Sequence, residues 1–124
     1  MPILDIEIVV HPGETLDHKL VVEIANRAGE IFVVPSGSTW VKLRTLRQEN
    51  YAESGGNSPV DFFPVFVSVL IARLPAPDKM QIQVAKLTAV IAKICARPEE
   101  NVHIIYLPEG AGRVSFGGKI ITAD

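Results

Sequence analysis

The chain has 124 residues, 48% of them hydrophobic, with 12 Lys and Arg against 14 Asp and Glu for a formal net charge of −2; one domain with its own apolar core fits that length, and two do not. A pI near 5.9 with both signs of charge intermixed argues against a phosphate-backbone partner, and a single cysteine, Cys95, excludes an internal disulfide framework or a multi-cysteine zinc site. Asp5, Glu7, His11, Arg73 and Lys86 interrupt every apolar run short of the roughly 20 residues that span a bilayer, and no secretory leader pattern opens the chain, so the expectation is a cytoplasmic protein with no membrane or nucleic-acid partner.

In chain order, Ile3 to Val10 is a β-branched and apolar run that reads as a buried strand. The turn His11-Pro12-Gly13 follows. Leu16, Leu20, Ile24, Ala28 and Ile31 then recur at helical spacing, with Thr15 or Asp17 at the start. Thr39 to Leu46 reads as a second strand, and Gly55-Gly56-Asn57-Ser58-Pro59 has the composition of a linker. The order then repeats. Val65 to Ala72 is a strand apolar on both faces, and Leu74-Pro75-Ala76-Pro77 is a turn. Met80, Val84, Leu87, Ile91 and Ile94 mark a helix with Asp78 as N-cap and Pro98 beyond its end, and Val102 to Leu107 is a strand.

An offset of 62 residues places Pro2 on Pro64, Trp40 on Val102 and Gly55-Gly56 on Gly117-Gly118, which predicts two copies of a β-α-β unit, residues 1–56 and 63–124, within one domain. A helical crossover makes the strands of each unit parallel. The predicted fold is therefore α+β, a four-stranded sheet with both helices on one face. The bare face, together with a mean hydropathy of +0.26, predicts that other copies of the chain cover it.

Pro2 is the most informative residue for chemistry. Initiator methionine is generally removed before proline, which would leave a free secondary amine. An α-amino group titrates at about 7.7–8.0, and burial beside cations lowers it toward neutrality, the range a base needs to abstract a proton next to a carbonyl. A proline opening a strand is also simply well placed, because it costs no ladder hydrogen bond.

The Pro2 start, the tandem unit with Pro64, and the segments Asn101-Val102-His103-Ile104-Ile105-Tyr106 and Ser115-Phe116-Gly117-Gly118-Lys119 together resemble the tautomerase superfamily. Its members include 4-oxalocrotonate tautomerase, with one β-α-β unit per subunit, and macrophage migration inhibitory factor, with two. The resemblance implies a homotrimer, sites at subunit boundaries, and cofactor-independent proton transfer by Pro2 in a small enol or keto carboxylic acid. It implies substrate-binding roles for Arg73, one position out of register with a family arginine, and for His103, at a place where the family has arginine or tyrosine. Arg73 also reads as a strand-end arginine reaching solvent, and His103 as a solvent-facing strand residue. Where the family has a lysine before the second strand, this chain has Val34-Pro35-Ser36-Gly37. Lys42, with Arg44 on the same strand face, is the substitute cation or a solvated or subunit-facing group. The aromatic that lines the family's site aligns with Val114 here, and the nearby Phe116 is the residue that can fill its role.

Related members add water to, dehalogenate or decarboxylate acids with an extra acidic residue, for which Glu49, Glu53 and Glu109 are available. A non-catalytic ligand-binding or structural module of the same sheet, or a pseudoenzyme, is the alternative. Gly110-Ala111-Gly112 and Gly117-Gly118-Lys119-Ile120 read as turns, lacking the context of nucleotide-binding loops. His11, His18 and His103 have no metal-ligand spacing, and Cys95 reads as a small core residue. Trp40, Tyr51 and Tyr106 read as core or inter-subunit packing, with Tyr51 also within reach of a site.

Overall fold

A computed structural model describes residues 1–55 and 63–122; the centre of the expected linker, Gly56 to Pro59, lies outside them. The chain order is β1 (Ile3–Val10), α1 (Lys19–Phe32), β2 (Trp40–Arg47), β3 (Val65–Leu70), α2 (Pro77–Cys95), β4 (Val102–Tyr106), and a short hairpin of β5 (Ser115–Phe116) and β6 (Lys119–Ile120). The four long strands form one sheet in the order β2-β1-β3-β4. β1 runs parallel to β2 and β3 parallel to β4, while β1 and β3 pair antiparallel at the centre. This is the α+β architecture that the two β-α-β units predict.

Alternation along the strands decides what each face does. Leu4, Ile6 and Ile8 of β1 and Val65, Val67 and Val69 of β3 are buried and share one core with Ile24 and Ala28 of α1 and Leu87, Ile91 and Cys95 of α2. The intervening positions, Ile3, Asp5 and Glu7 on β1 and Phe66, Ser68 and Leu70 on β3, are half-buried on the open face.

These faces correct the repeat register. An even offset of 62 would pair buried Leu4 with Phe66 of the open face, and an odd offset is required because successive strand residues point to opposite sides. An offset of 63 pairs Leu4 with Val67, Ile24 with Leu87, Ala28 with Ile91, and the two left-handed helix ends, Val33 and Ala96. Pro64 is therefore the neighbour of the residue equivalent to Pro2, Val65.

The helix starts also differ from expectation. α1 begins four residues after Thr15: Leu16 packs on the core from an extended segment, His18 is the N-cap residue, and Asp17 Oδ1 accepts the Lys19 backbone N–H at 2.9 Å. In α2, Asp78 lies inside the first turn behind Pro77, with Ala76 as the N-cap residue, the position where proline's missing N–H and fixed φ cost nothing. The C-terminal loop contains the β5–β6 hairpin. Its two-residue turn is Gly117-Gly118, both at positive φ, as a tight hairpin of matching twist requires.

Candidate active site

The site end of the sheet is the one where β1 begins and β3 ends. Pro2 is buried just before β1, on the helix-facing side by alternation from Leu4, and its carbonyl accepts the Trp40 backbone N–H at 2.9 Å. With Met1 attached, the Pro2 nitrogen is an amide and carries no basic lone pair. The Met1 side chain rests on Gly110, where a Cβ would come within 2.7 Å of the Met1 ε-methyl group, the flexible end of that side chain. Burial lowers the Met1 amine below its ordinary pKa.

A cavity of about 340 Å³ opens beside Met1, lined also by Ala72, Ile120, Ile121 and Thr122. A second, of about 400 Å³, shares Ile120 to Thr122 and adds Arg73, Glu109, Ala111 and Gly112. Arg73 is thus brought to the Pro2 end. The wall is held by two short backbone bonds, Gly110 N–H to Ile71 C=O at 2.9 Å and Ile121 N–H to Val114 C=O at 2.9 Å, and by the Leu74 N–H donating to the Glu109 side chain at Oε2, 3.1 Å away.

Phe116 reaches the same end. Its ring packs on Trp40 with centroids 4.9 Å apart, and Trp40 Nε1 donates to Gly37 C=O at 3.2 Å. Trp40 remains 49% exposed, so the pair presents an apolar wall one strand position from Pro2. Sequence reasoning treated Trp40 as packing alone; its place opposite Ile3 in the β1–β2 register is what makes it part of this end.

Lys42 and His103 are placed elsewhere in the single chain. Lys42 lies on the open face 3.7 Å from Asp5 Oδ2, and Arg44 beside it bonds both Asp5 and Glu7, so both cations are engaged across β1 and β2. His103 is exposed in the row of Phe66 and Glu7, five strand positions from Pro2, or roughly 17 Å at about 3.3 Å per residue. Its ring packs near Phe66 at 5.5 Å, and Phe66 near Tyr51 at 5.9 Å. In the loop Val34 to Gly37, a cavity of about 630 Å³ is lined by Ala25, Asn26, Gly29, Glu30 and Thr39 and by no basic residue.

The opposite end holds a group that sequence reasoning missed. Arg97 is buried, and its Nε donates to Phe63 C=O at 2.8 Å, one Nη to Val9 C=O at 2.9 Å and the other to Cys95 C=O at 3.1 Å, with Glu14 completing the set at 3.0 and 3.3 Å. An arginine between a helix end and a proline carries no sequence pattern that announces such a network.

The sequence matches no protein-family model and no curated protein. Solved structures do match. The macrophage migration inhibitory factor of Trichinella spiralis superposes with a TM-score of 0.73 at 16% identity over 95% of this chain and 98% of its own. A fused 4-OT, described as a wild-type symmetric trimer, gives 0.76 at 12% over 95% and 94%. The chain has the tautomerase fold. Pt0534 inactivated by 2-oxo-3-pentynoate shares it as well, with a TM-score of 0.73 at 18% identity over 98% of this chain and 95% of that one. Identities this low establish the architecture of the chain and leave its chemistry to its own residues.

Proposed function

We propose that the protein is a cofactor-independent tautomerase that moves a proton within a small enol or keto carboxylic acid, with Pro2, freed by removal of Met1, as the acid and base. The observation that carries this reading is the buried Pro2 directly behind Met1, which lines a cavity shared with Ala72 and Ile120 to Thr122. Losing Met1 would turn an amide into a secondary amine and vacate the space beside it in one step. Burial keeps such an amine near neutrality, so it takes a proton from one carbon and returns it to another without a large mismatch in pKa. Arg73, at the adjoining cavity, holds the carboxylate, and Phe116 with Trp40 covers the apolar part of the substrate.

The chain works as a homotrimer in this reading. A threefold ring joins two different patches of the chain, and a head-to-tail ring brings the Pro2 end of one copy to the His103 end of the next. Structures of the same fold described as trimers, one symmetric and two asymmetric, support a homo-oligomer. His103 of the next copy then donates to the developing enolate, and Lys42 stays with Asp5 on the open face.

Phenylenolpyruvate ketonisation tests the assignment. Wild-type protein accelerates it, and Pro2→Ala, which substitutes a more flexible primary amine, lowers kcat/KM at least 100-fold with assembly unchanged. Equal rates for the two proteins remove Pro2 from the mechanism. A non-catalytic module of the same fold is the second reading, favoured by the absence of a cation lining the Val34–Gly37 cavity; such a protein shows no enol turnover with its proline free.

A further inference from the structure

The corrected register sets the two ends of the sheet against each other residue by residue, and their side chains are opposite in chemistry. Under the offset of 63, His103 stands where Trp40 stands and Glu53 where Phe116 stands. The Pro2 end is therefore apolar, with Trp40 against Phe116. The far end is polar: Tyr51 Oη donates to Glu53 Oε2 at 2.7 Å, and the Tyr51 ring leads through Phe66 to His103.

Glu53 is held there by the Tyr51 hydroxyl. Burial first, and then the Glu53 carboxylate, push the Tyr51 phenol up to about 12, so Tyr51 stays protonated and its O–H stays committed to Glu53. The nearby cations are engaged elsewhere: Arg47 pairs with Glu49, and Arg44 with Asp5 and Glu7. Among the described residues Glu53 forms no ion pair, and its second oxygen remains open to a donor.

We propose that Glu53, held by Tyr51, forms the polar wall of the Pro2 site in the adjacent copy and makes the enzyme selective for enol acids carrying one carboxylate. The inference rests on the tautomerase reading and its head-to-tail ring. Arg73 binds the first carboxylate of the substrate. Glu53, across the site, accepts a hydrogen bond from the enol hydroxyl and repels a second carboxylate, because like charges facing each other out of bulk water raise the energy of the complex. Of the other two acidic residues that the sequence offers, Glu49 is paired with Arg47, and Glu109 lines the Arg73 cavity of its own chain with one oxygen engaged by the Leu74 N–H.

The test compares kcat/KM for the enol of phenylpyruvate, a monoacid, with that for the enol of oxaloacetate, a diacid, in wild type, Glu53→Gln and Tyr51→Phe. Glu53→Gln should raise the diacid-to-monoacid ratio about tenfold, chiefly by lowering KM for the diacid, because the amide keeps the shape and loses the charge. Tyr51→Phe leaves the charge in place and should shift the ratio less than threefold. An unchanged ratio in Glu53→Gln, with turnover of the monoacid retained, overturns this inference and leaves the tautomerase reading standing. No turnover of either enol by wild type with a free Pro2 overturns that reading, and this inference with it.

Discussion

Arg97 places a full charge inside the protein, its side chain 4% exposed, and surrounds it with three backbone carbonyls and the Glu14 carboxylate. A guanidinium so enclosed is tolerable because every acceptor matches its planar fork. Leaving Glu14 and three carbonyls without it would cost about 3–5 kcal/mol, so Arg97→Met should lower the urea midpoint strongly. Burial raises the Glu14 pKa, but the Arg97 hydrogen bond, the His11 backbone N–H and the two nearby charges outweigh it, and the net direction is down. A carboxylate with a folded pKa below its unfolded value stabilises the fold above about pH 4.3, and that contribution fades as pH falls through the folded value. Urea midpoints measured between about pH 6 and pH 3 should therefore drop less in Glu14→Gln than in wild type. The residues nearest chemistry were visible in the sequence to different degrees. Pro2, Arg73 and Phe116 were named from the sequence, and the fold gathers them at one end. Trp40 was not assigned to that end because its role depends on pairing with Ile3, a partner 37 positions away.

At the scale of elements, both helices end on a non-glycine residue in the left-handed conformation, Val33 at φ 56° and Ala96 at φ 55°. Val33 is 87% exposed, so its side chain gives up little packing if removed. A β-branched residue there is strained, and glycine at the same position releases that strain at a smaller entropic cost. Val33→Gly should stabilise the protein by about 0.5–1 kcal/mol, seen as a raised Tm; a lower Tm would mean that the exposed valine packs against something in the assembled protein. The helical periodicity of Met80, Val84, Leu87, Ile91 and Ile94 located α2 well, because a core helix must repeat its apolar face every turn. The same periodicity misplaces the start of α1. Leu16 lies four residues before Leu20, yet it reaches the core from an extended segment. The repeat register slipped by one because β3 carries apolar residues on both faces, Val65, Val67 and Val69 on one and Phe66 and Leu70 on the other. The alternation that normally fixes register was therefore weak there.

At the scale of the molecule, one chain holds half of the proposed site at each end. Trp40, Ile105 and Ile120, between 49% and 61% exposed, are apolar surface that a lone chain would leave in water. A ring of three predicts a solution mass three times the 13.5 kDa of the chain. It also predicts complementation: Pro2→Ala and His103→Ala proteins, each impaired, should regain activity when unfolded and refolded together. In mixed rings one boundary joins an intact Pro2 to an intact His103, so about a quarter of all sites recover from an equal mixture. Recovery would fail if His103 served the Pro2 of its own chain or neither.

The most direct test of the central claim is an intact mass and a phenylenolpyruvate ketonisation rate taken on one sample. The account predicts a mass lacking Met1 together with turnover. A free Pro2 with no turnover of any enol acid, or turnover by protein that quantitatively retains Met1, would contradict it.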